Sequence, residues 1–205
     1  VNADPKRYDE EKGVAFAQPS FFKVFDRKIL IGDATTGLDE PKEAILSSRW
    51  AIKYFGKEDA IGEVLKYEGK EYRVTAIMED LPTNTDLPFD LLVSYITIKK
   101  EKDENGWKGI WSDEQCYFTL RAGSSISDIE ARIPAFVSKY LGDSAHNQDN
   151  TTFIMQPFSE VHYDERFGNY NYSTISNSQL NALTLIGIFL LLTACINFIN
   201  LTTAE

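Results

Sequence analysis

The stretch from Ala182 to Leu201, ALTLIGIFLLLTACINFINL, carries no charge and no proline, and it restricts the possible folds more than any other part of the chain. An α-helix rises 1.5 Å per residue, so about twenty apolar residues span the ~30 Å hydrocarbon core of a bilayer. Between Leu183 and Leu201, twelve residues are Leu, Ile or Phe. At about −0.3 to −0.6 kcal/mol each near the helix centre, they favour insertion by roughly 4–7 kcal/mol. Thr193, Asn197 and Asn200 reduce that gain without cancelling it. The competing reading is a helix buried in a water-soluble core. Such helices normally show a polar stripe, and Leu183–Leu192 has none. Gly187, Thr193, Ala194 and Asn197 suit packing against other membrane helices. Ser176, Asn177 and Ser178 supply candidate N-caps, and Tyr170 and Tyr172 are expected near the membrane interface.

The remainder has the character of a folded, water-facing domain. Across the 205 residues, 43% are apolar and 25% charged, as in ordinary globular proteins. All 21 Lys and Arg, and all but one of the 31 Asp and Glu, precede residue 167. The net charge of −10 repels phosphates, which argues against nucleic acid as a partner. It argues equally against broad adsorption to anionic lipid headgroups. The N-terminus, Val1–Glu11, is polar and lacks both an initiator Met and an apolar leader segment. A domain outside the cytoplasm then implies that the chain begins within a larger protein. Cys116 and Cys195 fall in a strand-like segment and in the apolar tail, so geometry argues against a disulfide between them.

The periodicity predicts a mixed α+β domain with helices on one face of small sheets. Strands are expected at Gly13–Gln18, Glu43–Ser47, Val64–Tyr67, Tyr72–Met78, Phe89–Ile98, Cys116–Arg121 and Thr151–Met155, with Glu160–Tyr163 extending the sheet. Helices are expected at Pro19–Phe25, Ser48–Phe55 (stopped by Gly56) and Ser127–Leu141. The last should be capped by Ser127 with Glu130 and kinked at Pro134. Lys99–Asn105 reads as a solvated loop.

No catalytic, cofactor-binding or metal site is assigned. The chain lacks Gly-x-x-x-x-Gly-Lys-Ser/Thr, Gly-x-Ser-x-Gly, His-Glu-x-x-His and Gly-x-Gly-x-x-Gly. Glu160, His162 and Asp164 alternate, so on a strand they would share a face and could reach one metal ion. A polar strand edge is the simpler account. His146 lies in a polar segment, Asp143–Asn150, and reads as solvated. Carboxylate neighbours such as Glu79/Asp80 and Asp113/Glu114 signify little without a cleft. Trp107, Trp111 and Tyr117 form either an exposed aromatic patch or, more simply, packing for a loop.

Four stretches carry a family likeness: Phe21–Asp33 (FFKVFDRKILIGD), Ala44–Leu65 (AILSSRWAIKYFGKEDAIGEVL), Tyr72–Ser94 (YRVTAIMEDLPTNTDLPFDLLVS) and Ala194–Glu205 (ACINFINLTTAE). In order and spacing they resemble the MacB-like periplasmic domain followed by the first part of an FtsX-type permease domain, in the style of Bacteroidota. The resemblance implies an extracytoplasmic domain over residues 1–175. It would comprise a β-rich subdomain at about 14–87 and a porter-like subdomain at about 89–164, the latter lacking its N-terminal part. A transmembrane helix over residues 178–204 would follow. The resemblance also implies a permease fragment of a bacterial inner-membrane ABC transporter, not an enzyme, with no cofactor on this chain. ATP would be bound by a cytoplasmic ABC ATPase partner. A second permease chain and the bilayer are further implied partners, and a periplasmic adaptor or substrate is another candidate. The alternative is a membrane-tethered binding or sensor domain.

Overall fold

A computed structural model describes residues 8, 10, 12–33, 36–105, 114–148 and 152–203. The chain divides into two compact units, Val1–Met155 and Gln156–Glu205.

The first unit is organised around two strands that are apolar on both faces. β3 (Glu43–Ser47) and β6 (Leu91–Ser94) are buried along their whole lengths, as expected of strands covered on both sides. They pair antiparallel at the centre of a six-stranded sheet. β1 (Val14–Ala17) lies parallel to β6 on the outer side. β5 (Lys70–Met78) lies parallel to β3 on the other. The nine residues of β5 serve two partners on its far edge. Its N-terminal half forms a hairpin with β4 (Val64–Tyr67), and its C-terminal half pairs with β2 (Ile29–Gly32). Glu68 and Gly69 close the hairpin with φ of 47° and 78°, the left-handed pair that two-residue hairpin loops require.

Parallel strands need a crossover, and α2 (Ser48–Phe55) supplies it between β3 and β5. Ser47 caps the helix by accepting from the Trp50 amide. Gly56 ends it at φ 72°, with its N–H donating to Ile52 O, a left-handed stop that suits glycine. Trp50 and Ala51 enter the core with Leu46, Tyr72, Val74, Ile77, Leu91 and Val93. A short α1 (Phe21–Val24) precedes β2.

The loop before β3 is fixed to the sheet by side chains. Thr75 occupies a bulge in the β3–β5 pairing, and its hydroxyl lies 2.6 Å from Gly37 O and 3.1 Å from Ala44 O. The Ser94 hydroxyl donates to Leu38 O at 2.9 Å. Leu38 is fully buried as a result.

Several sequence expectations change beyond Tyr95. The apolar run Phe89–Ile98 forms a strand only over β6, and α3 (Ile96–Asn105) follows at once. The expected loop Lys99–Asn105 is therefore helical. Its pairs Lys99–Asp103 and Lys100–Glu104, at 2.6 and 4.0 Å, are the i,i+4 charge pairs that support a helix with no apolar stripe. Cys116–Arg121 and residues 152–155 form no strand and join no ladder among the described residues; Thr151 lies outside them. Glu160–Tyr163 forms no strand. A 3-10 turn at Phe158–Glu160 follows Pro157, whose ring and missing N–H disfavour a ladder. The amphipathic helix is two helices, α4 (Ile126–Glu130) and α5 (Ile133–Gln148). Its cap is Ser125 in a box with Asp128, two residues earlier than the expected pair Ser127 and Glu130. The break falls at Ala131–Arg132, so that Pro134 is the second residue of α5. α5 runs through most of Asp143–Asn150, which the sequence suggested was a loop.

The expected division near residues 87–89 falls inside the sheet, because β6 lies between β1 and β3. The second unit contains turns followed by α6 (Asn177–Thr203).

Candidate functional site

Two features distinguish the molecule: an ion-paired end of the sheet, and α6 with the turns that lead into it.

The sheet end collects charges distant in sequence. Asp90, immediately before β6, is 4% exposed. Arg49, in the first turn of α2, grips it with two bonds: Nε to Oδ1 at 2.7 Å and Nη2 to Oδ2 at 2.5 Å. This two-pronged geometry matches the guanidinium fork to a carboxylate. The hydrogen bond from Arg49 to Asp90 holds the guanidinium above its ordinary pKa. The Arg49 backbone N–H donates to Asp80 Oδ1 at 2.7 Å. A carboxylate thereby meets one of the unpaired amides at the helix start, where the dipole favours negative charge. Arg27 reaches into the same region. Its Nη2 donates to Leu87 O at 2.7 Å and lies 3.5 Å from Thr85 Oγ1. Burial pulls its pKa below the ordinary value, with Asp90 opposing the shift. These bonds tie the loop from Asp80 to Asp90 across the ends of β2, β3, β5 and β6. Nothing in the local sequence marks the Arg49–Asp90 partnership, which spans 41 positions.

Further along α2, Lys53 pairs with Glu10 and lies over the rings of Tyr8, Trp50 and Tyr54, 5.4–5.7 Å from their centroids. Burial, then the hydrogen bond to Glu10, pushes the Tyr54 phenol well above its ordinary pKa. Here an N-terminal segment is held to the helix by cation–π and charge contacts.

The candidate metal trio is not on a strand. Glu160 ends the 3-10 turn, and His162 and Asp164 follow in turns. Asp164 is occupied by Arg166, whose Nε and Nη2 donate at 2.9 and 2.7 Å, and by Gln156 at 3.2 Å. The Arg166 bonds hold the Asp164 carboxyl at about 2. Among the described residues, no group of three or more His, Cys, Asp or Glu is placed to hold a metal ion. Tyr117 packs edge-on against Phe25, with centroids 5.0 Å apart. Trp107, Trp111 and the His146 side chain lie outside the described residues. Cys116 and Cys195 are both free thiols.

α6 runs 27 residues with a mean hydropathy of 2.4 in its most apolar window, none of which is buried. It starts at a reciprocal cap: the Gln179 N–H donates to Ser176 Oγ, and the Ser176 N–H to Gln179 Oε1. Thr184, Thr193 and Thr202 return their hydroxyls to carbonyls of the preceding turn, so these polar groups do not oppose an apolar surrounding.

The sheet, its crossover and the loop that ties its end all lie within the region matched by a known family. The model of the MacB-like periplasmic core domain matches residues 1–136. The chain belongs to this family. Among solved structures, the MacB-like chain is similar to a crystallised domain from Porphyromonas gingivalis, described as part of a permease protein. The two share 23% identity and a TM-score of 0.52, over 62% of this chain and 54% of that one. This likeness supports the mixed α/β fold, and the chain spans about half of that structure. The periplasmic region of MacB from Actinobacillus actinomycetemcomitans matches at 11% identity and a TM-score of 0.43, over 69% of this chain and 66% of that one. A search of curated proteins finds no match.

Proposed function

We propose that this MacB-like chain is the extracytoplasmic part of an ABC-transporter permease, with α6 as a membrane helix of that permease. The observation that carries the reading is α6 itself: an uncharged, uncovered 27-residue helix in the same chain as a MacB-like domain. In this reading the chain performs no chemistry. A cytoplasmic ATPase partner binds and hydrolyses ATP, and the permease helices carry the resulting movement outward. The residues suit such a role. α6 and the turns from Gln156 belong to one compact unit, so displacement of the helix moves that unit with it. A sheet whose end is locked by Arg49, Asp80 and Asp90 resists deformation, as a transmitter of force must. Export, or the control of a periplasmic partner, is the outcome in either case, and a second permease chain completes the assembly.

The two free cysteines provide the test. Cys116 is exposed in the first unit, and Cys195 lies within α6. In spheroplasts of a bacterium expressing the chain within its full permease, a membrane-impermeant maleimide should label Cys116 and leave Cys195 unmodified. Labelling of Cys116 only after permeabilisation would place the domain in the cytoplasm and overturn the reading.

A further inference from the structure

The turns between Gln156 and Ser176 show a second surface. Within this segment, Phe158, Tyr163, Tyr172 and Ile175 are exposed, at 50%, 40%, 79% and 37%. The segment is nevertheless well ordered by its own bonds. The Ile175 N–H donates to His162 O at 3.1 Å and closes the stretch between them. Asn169, only 6% exposed, grips Ser173 through both amide atoms: Nδ2 donates to Ser173 O at 2.9 Å and Oδ1 accepts from Ser173 N at 3.3 Å. The loop closed by this clamp carries Tyr172 at φ +54°, a conformation rarely adopted by a bulky residue. Backbone strain is therefore held in place by a buried amide, and its result is a large aromatic side chain directed outward. Two residues beyond Ile175, α6 begins.

We infer that the Phe158–Ile175 turns form an interfacial platform that rests in the lipid headgroup layer and sets the depth of α6. The inference rests on the membrane reading of α6. The platform is continuous with the membrane helix and shares its compact unit. At 1.5 Å per residue α6 is ~40 Å long, about 10 Å more than the hydrocarbon core. Its first turns, with the uncharged polar Asn177, Ser178, Gln179 and Asn181, therefore belong at headgroup level, and the platform adjoins them. Tyrosine is suited to that layer, with an apolar ring and a polar tip. The occupant is the neutral interface, not an anionic lipid patch: Glu160, Asp164 and Glu165 outnumber Arg166 in this segment, which gives no attraction to negative headgroups.

Site-directed spin labelling of the chain in phosphatidylcholine vesicles tests this. Cys116 and Cys195 are replaced by Ser, and single cysteines are placed by Tyr172→Cys, Tyr163→Cys, Glu165→Cys and Leu190→Cys. Accessibility to oxygen and to a water-soluble nickel chelate then reports depth. The Leu190 position should be open to oxygen and closed to nickel. Nickel accessibility at positions 172 and 163 should be about threefold or more below that at 165, as expected at an interface. Nickel access at 172 and 163 equal to that at 165, with 190 shielded, overturns the platform while leaving α6 in the bilayer. Nickel access at 190 overturns both readings.

Discussion

At the scale of single residues, the energetic weight falls on Asp90. A carboxylate that is almost completely buried is stable only while its hydrogen bonds are made. Replacing Arg49 with Ala removes both prongs at once. Arg49 is itself half exposed, so water relieves part of the loss, and a cost of about 2 kcal/mol is expected. Arg49→Lys should recover only part of it, since an ammonium cannot match both oxygens. Urea unfolding followed by the fluorescence of buried Trp50 would measure the difference, and an Arg49→Ala chain as stable as the wild type would contradict the assignment. Asp164 makes a separate case because its partner Arg166 is 72% exposed while its own side chain is only 12% exposed. Its folded pKa of about 2 lies below the ordinary 3.8, chiefly through the hydrogen bonds from Arg166. A depressed carboxyl contributes stability above its unfolded pKa and loses it as pH falls through the folded one. The turn at 164–166 should therefore persist until the pH drops from about 4 to about 2. Arg166→Gln should return the Asp164 midpoint toward 3.8 in an NMR titration; an unchanged midpoint would remove Arg166 as the cause.

At the scale of elements, two glycines with positive φ are expected to respond differently. Gly56, at 72°, ends α2 in open space, with nothing within 4 Å of an added Cβ. Gly56→Ala meets only the left-handed backbone penalty, about 1 kcal/mol. Gly32, at 90°, ends β2, where an added Cβ would lie 2.6 Å from Thr75 O and 2.9 Å from Ala76 Cα. Both obstacles are backbone, so β2 must move away from β5, and Gly32→Ala should cost at least about 2 kcal/mol more than Gly56→Ala. Thermal melts of the two variants side by side check the ranking, and equal shifts would count against the β2–β5 register. The same contrast shows which elements could be read from sequence. α2 was legible because its apolar face and stop glycine both lie within the nine residues Ser48–Gly56. The two strands of the β4–β5 hairpin were legible from composition, although β5 begins at Lys70, two residues before the expected Tyr72. α3 was not, because its stability comes from Lys–Asp and Lys–Glu pairs and not from an apolar stripe. The segments at 116–121 and 152–155 have strand composition, but a ladder also needs a neighbour, and composition carries no information about neighbours.

At the scale of the whole molecule, the sheet order was beyond the sequence for a related reason. β1 pairs with β6 across more than seventy residues, and the Arg49–Asp90 lock joins elements 41 positions apart. The family likeness indicated a mixed α/β domain without giving that order, and the proposed boundary near residue 88 cuts through a continuous sheet. α6 is the opposite case, since its character depends on nothing outside its own twenty-seven residues. The physical consequence is a chain with two solvent preferences. The first unit buries its apolar residues within its own sheet and crossover, whereas Leu183, Leu185, Phe189, Leu191, Phe198 and Leu201 are each at least 64% exposed. Insertion of that helix is favoured by roughly 4–7 kcal/mol, so a water-filled surrounding leaves it to aggregate. A chain ending at Ser176 should therefore remain in the supernatant after ultracentrifugation, with the mixed α/β signature intact by circular dichroism. The full chain should stay with the membranes even through alkaline carbonate extraction. If both forms partition alike into the aqueous fraction, α6 must find cover within the protein, and the assignment of this domain to a membrane permease loses its physical basis.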